Sequence, residues 1–195
     1  MIDKAFIDSH IEELIDCVNK ASKEIINVYE GDNFGHIEKS DGSPLTIADK
    51  NANQVILDDL KSISSDISII SEETFENNQL KKLDKTYWLV DPLDGTKEFI
   101  NKTDEFTVNI ALIDNKQAIF GIVAAPVTGK VWYGSVFDKN ITEEGPVDKI
   151  RIVMSKSHKS ENDKAFLEFI DSKNINYEII EKGSSLKLCS LADNE

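Results

Sequence analysis

Between Tyr87 and Phe99 the chain reads Tyr-Trp-Leu-Val-Asp-Pro-Leu-Asp-Gly-Thr-Lys-Glu-Phe. A short apolar run, Trp88-Leu89-Val90, breaks at Asp91-Pro92, and a second carboxylate, Asp94, precedes a Gly95-Thr96 turn. An apolar run of this length bounded by Pro and Gly predicts a buried strand. Such a strand delivers Asp91 and Asp94 where the chain leaves the core. Two carboxylates three positions apart on a kinked turn must either be solvated or share a cation. Asp is also an ordinary turn residue, because its side chain hydrogen-bonds nearby backbone. On this segment alone a solvated turn and a metal site both stay open.

The bulk properties narrow the partners. With 195 residues the chain can form one sizeable domain or two small lobes around a shared core. Asp and Glu number 36 against 22 Lys and Arg, a formal charge of −14. That balance argues against general affinity for nucleic-acid polymers and anionic membranes, which call for basic patches. It does not exclude a small phosphorylated substrate if bound cations reverse the local field. Cys17 and Cys189 have neither a disulfide framework nor metal-type spacing. They read as buried thiols in a reducing cytoplasm, with peripheral attachment at the inner membrane face left open. The N-terminus lacks the pattern of a signal peptide, and no apolar run reaches membrane-spanning length.

Apolar positions at helical spacing (Ile7, Ile11, Leu14, Ile15, Val18, Ala21, Ile25, Tyr29) predict a long amphipathic helix, stopped by Gly31 and covering a sheet face. A second helical face, Ala48, Ala52, Val55, Ile56 and Leu60, follows Thr46. Thr46 with Asp49 three residues later resembles a capping box, which would by itself account for both. The β-branched run Ile67–Ile70 ends in Ser71-Glu72-Glu73, a second apolar strand delivering carboxylates at its C-terminal end. If it neighbours the strand ending at Val90, Glu72, Asp91 and Asp94 converge. Thr74–Lys85 reads as a loop. Alternation over 105–113, the apolar run 118–125 and Val131–Tyr133, with short connections, predict an antiparallel meander. The acidic stretch 137–148 reads as a lobe boundary, dividing a metal-site lobe (1–145) from the start of a substrate lobe (146–195). In the latter we expect a strand over 150–154, a helix over 161–172 with Phe166, Phe169 and Ile170 inward, a strand over 177–180, and a helix opening at Gly183-Ser184-Ser185-Leu186-Lys187.

Asp49, Glu72, Asp91 and Asp94 all sit at predicted element boundaries. Hard oxygen ligands suit Mg²⁺ or Mn²⁺, and there is no Cys/His cluster for zinc. The Leu93 carbonyl is a further candidate ligand. Clustered carboxylates without cations raise one another's pKa, a conflict that divalent ions remove. Two such ions about 4 Å apart can bind a phosphate oxygen, acidify a water and stabilise a leaving oxygen. Gly95 would let backbone approach a phosphate. The Thr96 hydroxyl could pass a proton from the attacking water to Asp49. The chemistry these residues support is metal-assisted hydrolysis of a phosphate monoester.

Asp91-Pro92-Leu93-Asp94-Gly95-Thr96, with Glu72-Glu73 upstream and Pro44-Leu45-Thr46-Ile47-Ala48-Asp49 before that, resembles the lithium-sensitive, magnesium-dependent phosphatases. That family comprises inositol monophosphatases, fructose-1,6-bisphosphatases and 3'(2'),5'-bisphosphate nucleotidases. Thr96-Lys97-Glu98-Phe99, Ser155-Lys156-Ser157-His158 and Gly183-Ser184-Ser185-Leu186-Lys187 look like its bacterial bisphosphate nucleotidase branch. The resemblance implies an α+β fold of alternating helix and largely antiparallel sheet layers (α/β/α/β), two or three Mg²⁺ ions, and a small phosphorylated nucleotide as substrate. It allows a homodimer. Metal ligation falls to Glu72, Asp91, Leu93 and Asp94, and catalysis to Asp49 and Thr96. Substrate contact falls to Glu72, Asp94, Gly95 and Thr96, with Ser184 and Lys187 on a second phosphate and His158 nearby. His158 also reads as an ordinary surface histidine in a polar loop, and Lys97-Glu98 as a solvated pair. The implied reaction is adenosine 3',5'-bisphosphate to AMP and phosphate, with an inositol or sugar phosphatase of the same family, or a silent binding remnant, as alternatives. Family members carry a later Trp-Asp motif, whereas Trp88 and Trp132 are followed here by Leu89 and Tyr133. The expectation is therefore an incomplete second lobe, with weak or no turnover.

Overall fold

The computed structural model describes residues 2–31, 35, 37–38, 44–75, 84–138, 149–156 and 160–193. Helix α1 (Lys4–Tyr29) starts at Asp3, whose side chain accepts from the Phe6 amide. It buries Ile7, Leu14, Cys17, Val18, Ala21, Ile25 and Tyr29, the stripe that its spacing predicts. After the short pair β1 (Ile37–Glu38) and β2 (Pro44–Leu45) comes α2 (Ile47–Ile63), capped by Thr46 and packed along α1. The main sheet has five strands in the order β3-β4-β5-β6-β7: β3 (Ser68–Ser71), β4 (Thr86–Asp94), β5 (Thr107–Asp114), β6 (Gln117–Ala125) and β7 (Lys130–Ser135). A turn of 3₁₀ helix (Glu72–Thr74) follows β3, and α3 (Thr96–Ile100) follows β4.

Strand β3 runs parallel to β4, pairing Ser71 with Val90, and the other pairs are antiparallel. The meander over β5–β7 is as the short connections predict. Trp88, Val90, Val108, Ile110, Leu112, Phe120, Ile122 and Ala124 are buried in one core with the α1 and α2 stripes. Trp88 is wholly buried and its Nε1 donates to Ser64 Oγ at 2.9 Å, which satisfies the one polar atom that its burial would strand. Tyr29 closes the core near the functional end. Its ring packs on Phe99 and Phe106, and its hydroxyl donates to Asp104 Oδ1 at 2.6 Å.

The second unit comprises β8 (Ile150–Ser155), α4 (Glu161–Ser172), β9 (Tyr177–Lys182) and α5 (Leu186–Ala192). Strands β8 and β9 pair in parallel with each other, joined through α4. Only Ile170 of α4 is buried; Phe166 and Phe169 are 48% and 55% exposed, against the expectation that they point inward. A two-stranded ribbon is too narrow to cover the apolar face of a three-turn helix. Helix α5 is tied to the main sheet at both ends. Ser185 at its start hydrogen-bonds Asp94 on β4 and Asn109 on β5, while Asp193 at its end accepts from Trp132 Nε1 (2.8 Å) and Lys130 Nζ (3.0 Å) on β7. The proposed lobe boundary lies mostly within 139–148, outside the described residues.

Two outcomes follow. Tyr29→Phe removes a partly buried bond to a carboxylate and should cost about 1–2 kcal/mol; an unchanged urea midpoint would contradict it. Burial pushes the Cys17 thiol up to about 12. It therefore stays protonated far above neutrality, with a thiolate fraction of about one in 10⁴ at pH 8. Native protein should leave Cys17 unlabelled by a thiol reagent that modifies it fully in urea, and rapid native labelling would refute this.

Candidate active site

The site forms where β3 and β4 end side by side. Because β3 is parallel to β4, Glu72 emerges beside Asp91, the neighbourhood on which convergence depended. The strand carrying Asp91 does not stop at Val90, as expected, but continues to Asp94 through a bulge. Asp91 pairs with Asn109 and Asp94 with Thr107, so two residues of β4, Pro92 and Leu93, lie opposite one of β5, Val108. Side chains alternate faces along a regular strand, so residues three apart would point to opposite sides. The extra residue puts both aspartates on the face carrying Thr107 and Asn109. Pro92 lies inside the bulge, one of the few places a sheet accepts proline, and Asp91 Oδ1 accepts from the Leu93 amide at 3.2 Å to brace it.

Gly95 then turns the chain into α3 with φ +93°, a left-handed conformation. A Cβ there would lie 2.9 Å from Glu105 O and 3.2 Å from Ser184 Cβ, so glycine also serves the close approach of the second unit. Gly183 mirrors it: a Cβ would meet Glu98 Cγ at 3.0 Å. Thr96, just past the turn, donates its hydroxyl toward Asp49 Oδ1 (3.3 Å) and Leu93 O (3.2 Å).

Asp49 is 1% exposed, and its other oxygen accepts from Thr46 N (2.7 Å) and Thr46 Oγ1 (2.6 Å). The capping reading of Thr46 and Asp49 is thus correct, and it is compatible with the catalytic one: Oδ2 serves the cap and Oδ1 faces Thr96. Nearby, Ser71 Oγ donates to Asn53 Oδ1 at 2.6 Å, which fixes the end of β3 to α2 immediately before Glu72.

The carboxylates are in conflict, as clustering predicts. Burial first, then the charges of Glu72 and Asp94, push the Asp91 carboxyl up to about 8. Below that pH Asp91 holds a proton, which a divalent cation would displace. The donor set within reach is oxygen only: Glu72, Asp91 and Asp94 carboxylates with the Leu93 carbonyl. It fits a hard divalent cation. Among the described residues, no three acidic, His or Cys side chains are already drawn in around one point.

A cleft of about 450 Å³ is lined by Glu72, Asp94, Gly95, Thr96, Ser184 and Lys187, among others. Six predicted site residues therefore share one cavity wall; Asp91 lies at the end of an adjoining apolar groove, which Glu72 also lines. Ser184 does not point its hydroxyl into open space: it donates to Asp94 Oδ2 at 2.6 Å. Lys187 Nζ donates to Ser184 O at 2.5 Å. His158 falls outside the described residues.

The sequence reading missed Glu105, whose Oε2 accepts from Gly183 N (3.1 Å) and Lys156 Nζ (3.2 Å), and it missed the polar pair Thr107 and Asn109. The available signal was two consecutive polar positions on one face of an otherwise apolar strand. No described helix is long and apolar enough to cross a membrane. Thr46→Val, which keeps the shape but removes the hydroxyl shared by the cap and Asp49, should cost about 1–2 kcal/mol; a wild-type denaturation midpoint would count against this account.

Three comparisons bear on the family and the fold. The sequence profile of the inositol monophosphatase family matches residues 8–195. The 3'(2'),5'-bisphosphate nucleotidase CysQ of Escherichia coli (strain K12) is 37% identical over 95% of this chain and 77% of its own length. The crystal structure of CysQ from Bacteroides thetaiotaomicron, described as a bacterial member of the inositol monophosphatase family, superposes with a TM-score of 0.78 at 31% identity, over 95% of this chain and 77% of that one. A Thermotoga maritima IMPase shares the fold at a TM-score of 0.73 and 20% identity, over 93% of this chain and 72% of that one.

Proposed function

We propose that this chain, which belongs to the inositol monophosphatase family, is a magnesium-dependent phosphomonoesterase that hydrolyses adenosine 3',5'-bisphosphate to AMP and phosphate. The observation that carries the reading is the junction of two devices at one cleft. Glu72, Asp94 and Thr96 line the cleft; Asp91 and the Leu93 carbonyl complete an oxygen-only set just beside it, and Asp49 backs Thr96 from the core. The nucleotidase names of the relatives at 37% identity support the substrate class. A divalent ion held there would supply Lewis acidity toward phosphate oxygens and toward a water.

The chain's own residues then have defined work. Thr96 Oγ1 accepts a proton from the attacking water as it gives its own to Asp49 Oδ1. Thr46 holds Asp49 Oδ2 by two hydrogen bonds, so the carboxylate cannot turn away from Thr96. Gly95 keeps the cleft floor low enough for a phosphate to approach backbone. Lys187 supplies positive charge on the cleft wall for the second phosphate of a bisphosphate, and Ser184 orders the turn beside it. In this reading the first unit holds the metal centre and the second shapes the nucleotide side.

Phosphate release should be faster from adenosine 3',5'-bisphosphate than from inositol 1-phosphate and should require Mg²⁺. Turnover is expected to be slow in this chain, and Thr96→Ala should abolish it, with Mg²⁺ binding retained. Asp91→Asn should lose Mg²⁺ binding by calorimetry. A preference for inositol 1-phosphate would overturn the substrate assignment. Undiminished Mg²⁺ binding by Asp91→Asn would overturn the metal centre.

A further inference from the structure

Asp94 is held from the far side by the second unit. Both Ser184 Oγ and the Ser185 amide donate to its Oδ2, each at 2.6 Å, so Oδ1 is the oxygen with which Asp94 would reach a cation. What seats those two serines is not the carboxylate alone. Thr107, wholly buried on β5, places its Oγ1 2.8 Å from Ser184 Oγ and 2.7 Å from Ser185 Oγ. Asn109, two residues on and on the same face, donates from Nδ2 to Thr107 Oγ1 (3.1 Å) and accepts at Oδ1 from Ser185 Oγ (2.7 Å).

Counting protons sets the direction of this chain. A carboxylate only accepts, so Ser184 must spend its single hydroxyl proton on Asp94. Ser184 Oγ can then only accept from Thr107. Thr107 in turn receives a hydrogen bond from the Asn109 amide; Ser185 gives its proton to Asn109, so the close Thr107–Ser185 contact carries no proton and Thr107 acts on the turn through Ser184. The sequence Asn109 to Thr107 to Ser184 to Asp94 runs donor to acceptor without a break and ends on a charge, the arrangement in which each bond strengthens the next.

We propose that Thr107, backed by Asn109, is a positioning residue for the metal centre: its hydroxyl seats the Ser184–Ser185 turn on Asp94 and thereby sets which carboxylate oxygen faces the cation. The proposal rests on the reading of Asp94 as a metal ligand. It adds that the orientation of this ligand is controlled across the interface between the two units, by a residue that touches neither metal nor substrate.

The test uses the 195-residue chain with two readouts: hydrogen exchange at the Ser185 amide, which donates directly to Asp94, and Mg²⁺ affinity by calorimetry. Thr107→Val keeps the side-chain shape and loses the hydroxyl, whereas Thr107→Ser keeps the hydroxyl and loses a methyl. We expect Thr107→Val to speed Ser185 exchange by about tenfold or more and to weaken Mg²⁺ binding by about five- to tenfold, with Thr107→Ser within about twofold of wild type in both. A role in packing alone gives the reverse order, because the missing methyl would then be the damaging change. Ser184→Ala, which removes the hydroxyl that links Thr107 to Asp94, should reproduce the loss of Mg²⁺ affinity. Wild-type Mg²⁺ affinity in Ser184→Ala, wild-type values in Thr107→Val, or equal damage in Thr107→Ser overturns the proposal. If the wild-type chain binds no Mg²⁺ while Ser185 exchange keeps the expected order, the metal reading fails and the seating role of Thr107 stands.

Discussion

One extra residue in β4 underlies most of what this molecule can do. Without the bulge spanning Pro92 and Leu93, strict alternation would send Asp91 and Asp94 to opposite faces of the sheet. With it, two carboxylates and the neighbouring Glu72 crowd one edge of the open face. The cost is visible at Asp91, whose carboxyl rises to about 8 through burial and the charges around it. A fold tolerates such crowding when rigid elements on every side enforce it. Here β3 is pinned to α2 through Ser71 and Asn53, the bulge is braced by Asp91 on the Leu93 amide, and Asp94 is clasped by the second unit.

Asp49 shows how little additional machinery the site needs. A helix start must satisfy its first amides, and Thr46 with Asp49 does so in the ordinary reciprocal way. The cap uses one carboxylate oxygen and leaves the other aimed at Thr96. A stabilising feature of α2 and the hydrogen-bond acceptor facing Thr96 are the same side chain, so under the proposed mechanism mutations there would mix losses of stability with losses of rate.

Much of the site was legible because its residues punctuate apolar runs. Ile67–Ile70 ending in Glu72 and Trp88–Val90 ending in Asp91 announce carboxylates at strand ends, and parallel pairing of β3 with β4 makes them neighbours. The helical stripes of α1 and α2 were readable for the same reason, since periodicity reflects a buried face. The bulge was not: a Pro after Asp reads equally as the end of a strand, and only the register with β5 distinguishes them. The polar face of Thr107 and Asn109 was readable in the alternation of β5, but its role was not, because their partners, Ser184 and Ser185, lie far along the chain and hydrogen bonds of that range leave no periodic trace. Phe166 and Phe169 misled in the other direction. Apolar spacing says which face of α4 wants cover, not whether two strands suffice to provide it.

The double anchorage of α5 has a mechanical meaning. The helix is seven residues long, about 10 Å at 1.5 Å per residue. The distance from β5 to β7 is two strand spacings, also about 10 Å. α5 therefore works as a crossbar: its N-cap, Ser185, is pinned to Asn109 on β5 and its C-cap, Asp193, to Trp132 on β7, each end by hydrogen bonds. Pulling the second unit away would strip Asp94 of its serine partners and release the β7 edge in one motion. The two units are expected to come apart as a single cooperative event, with the carboxylate edge losing its shape at the same moment as the sheet loses its brace.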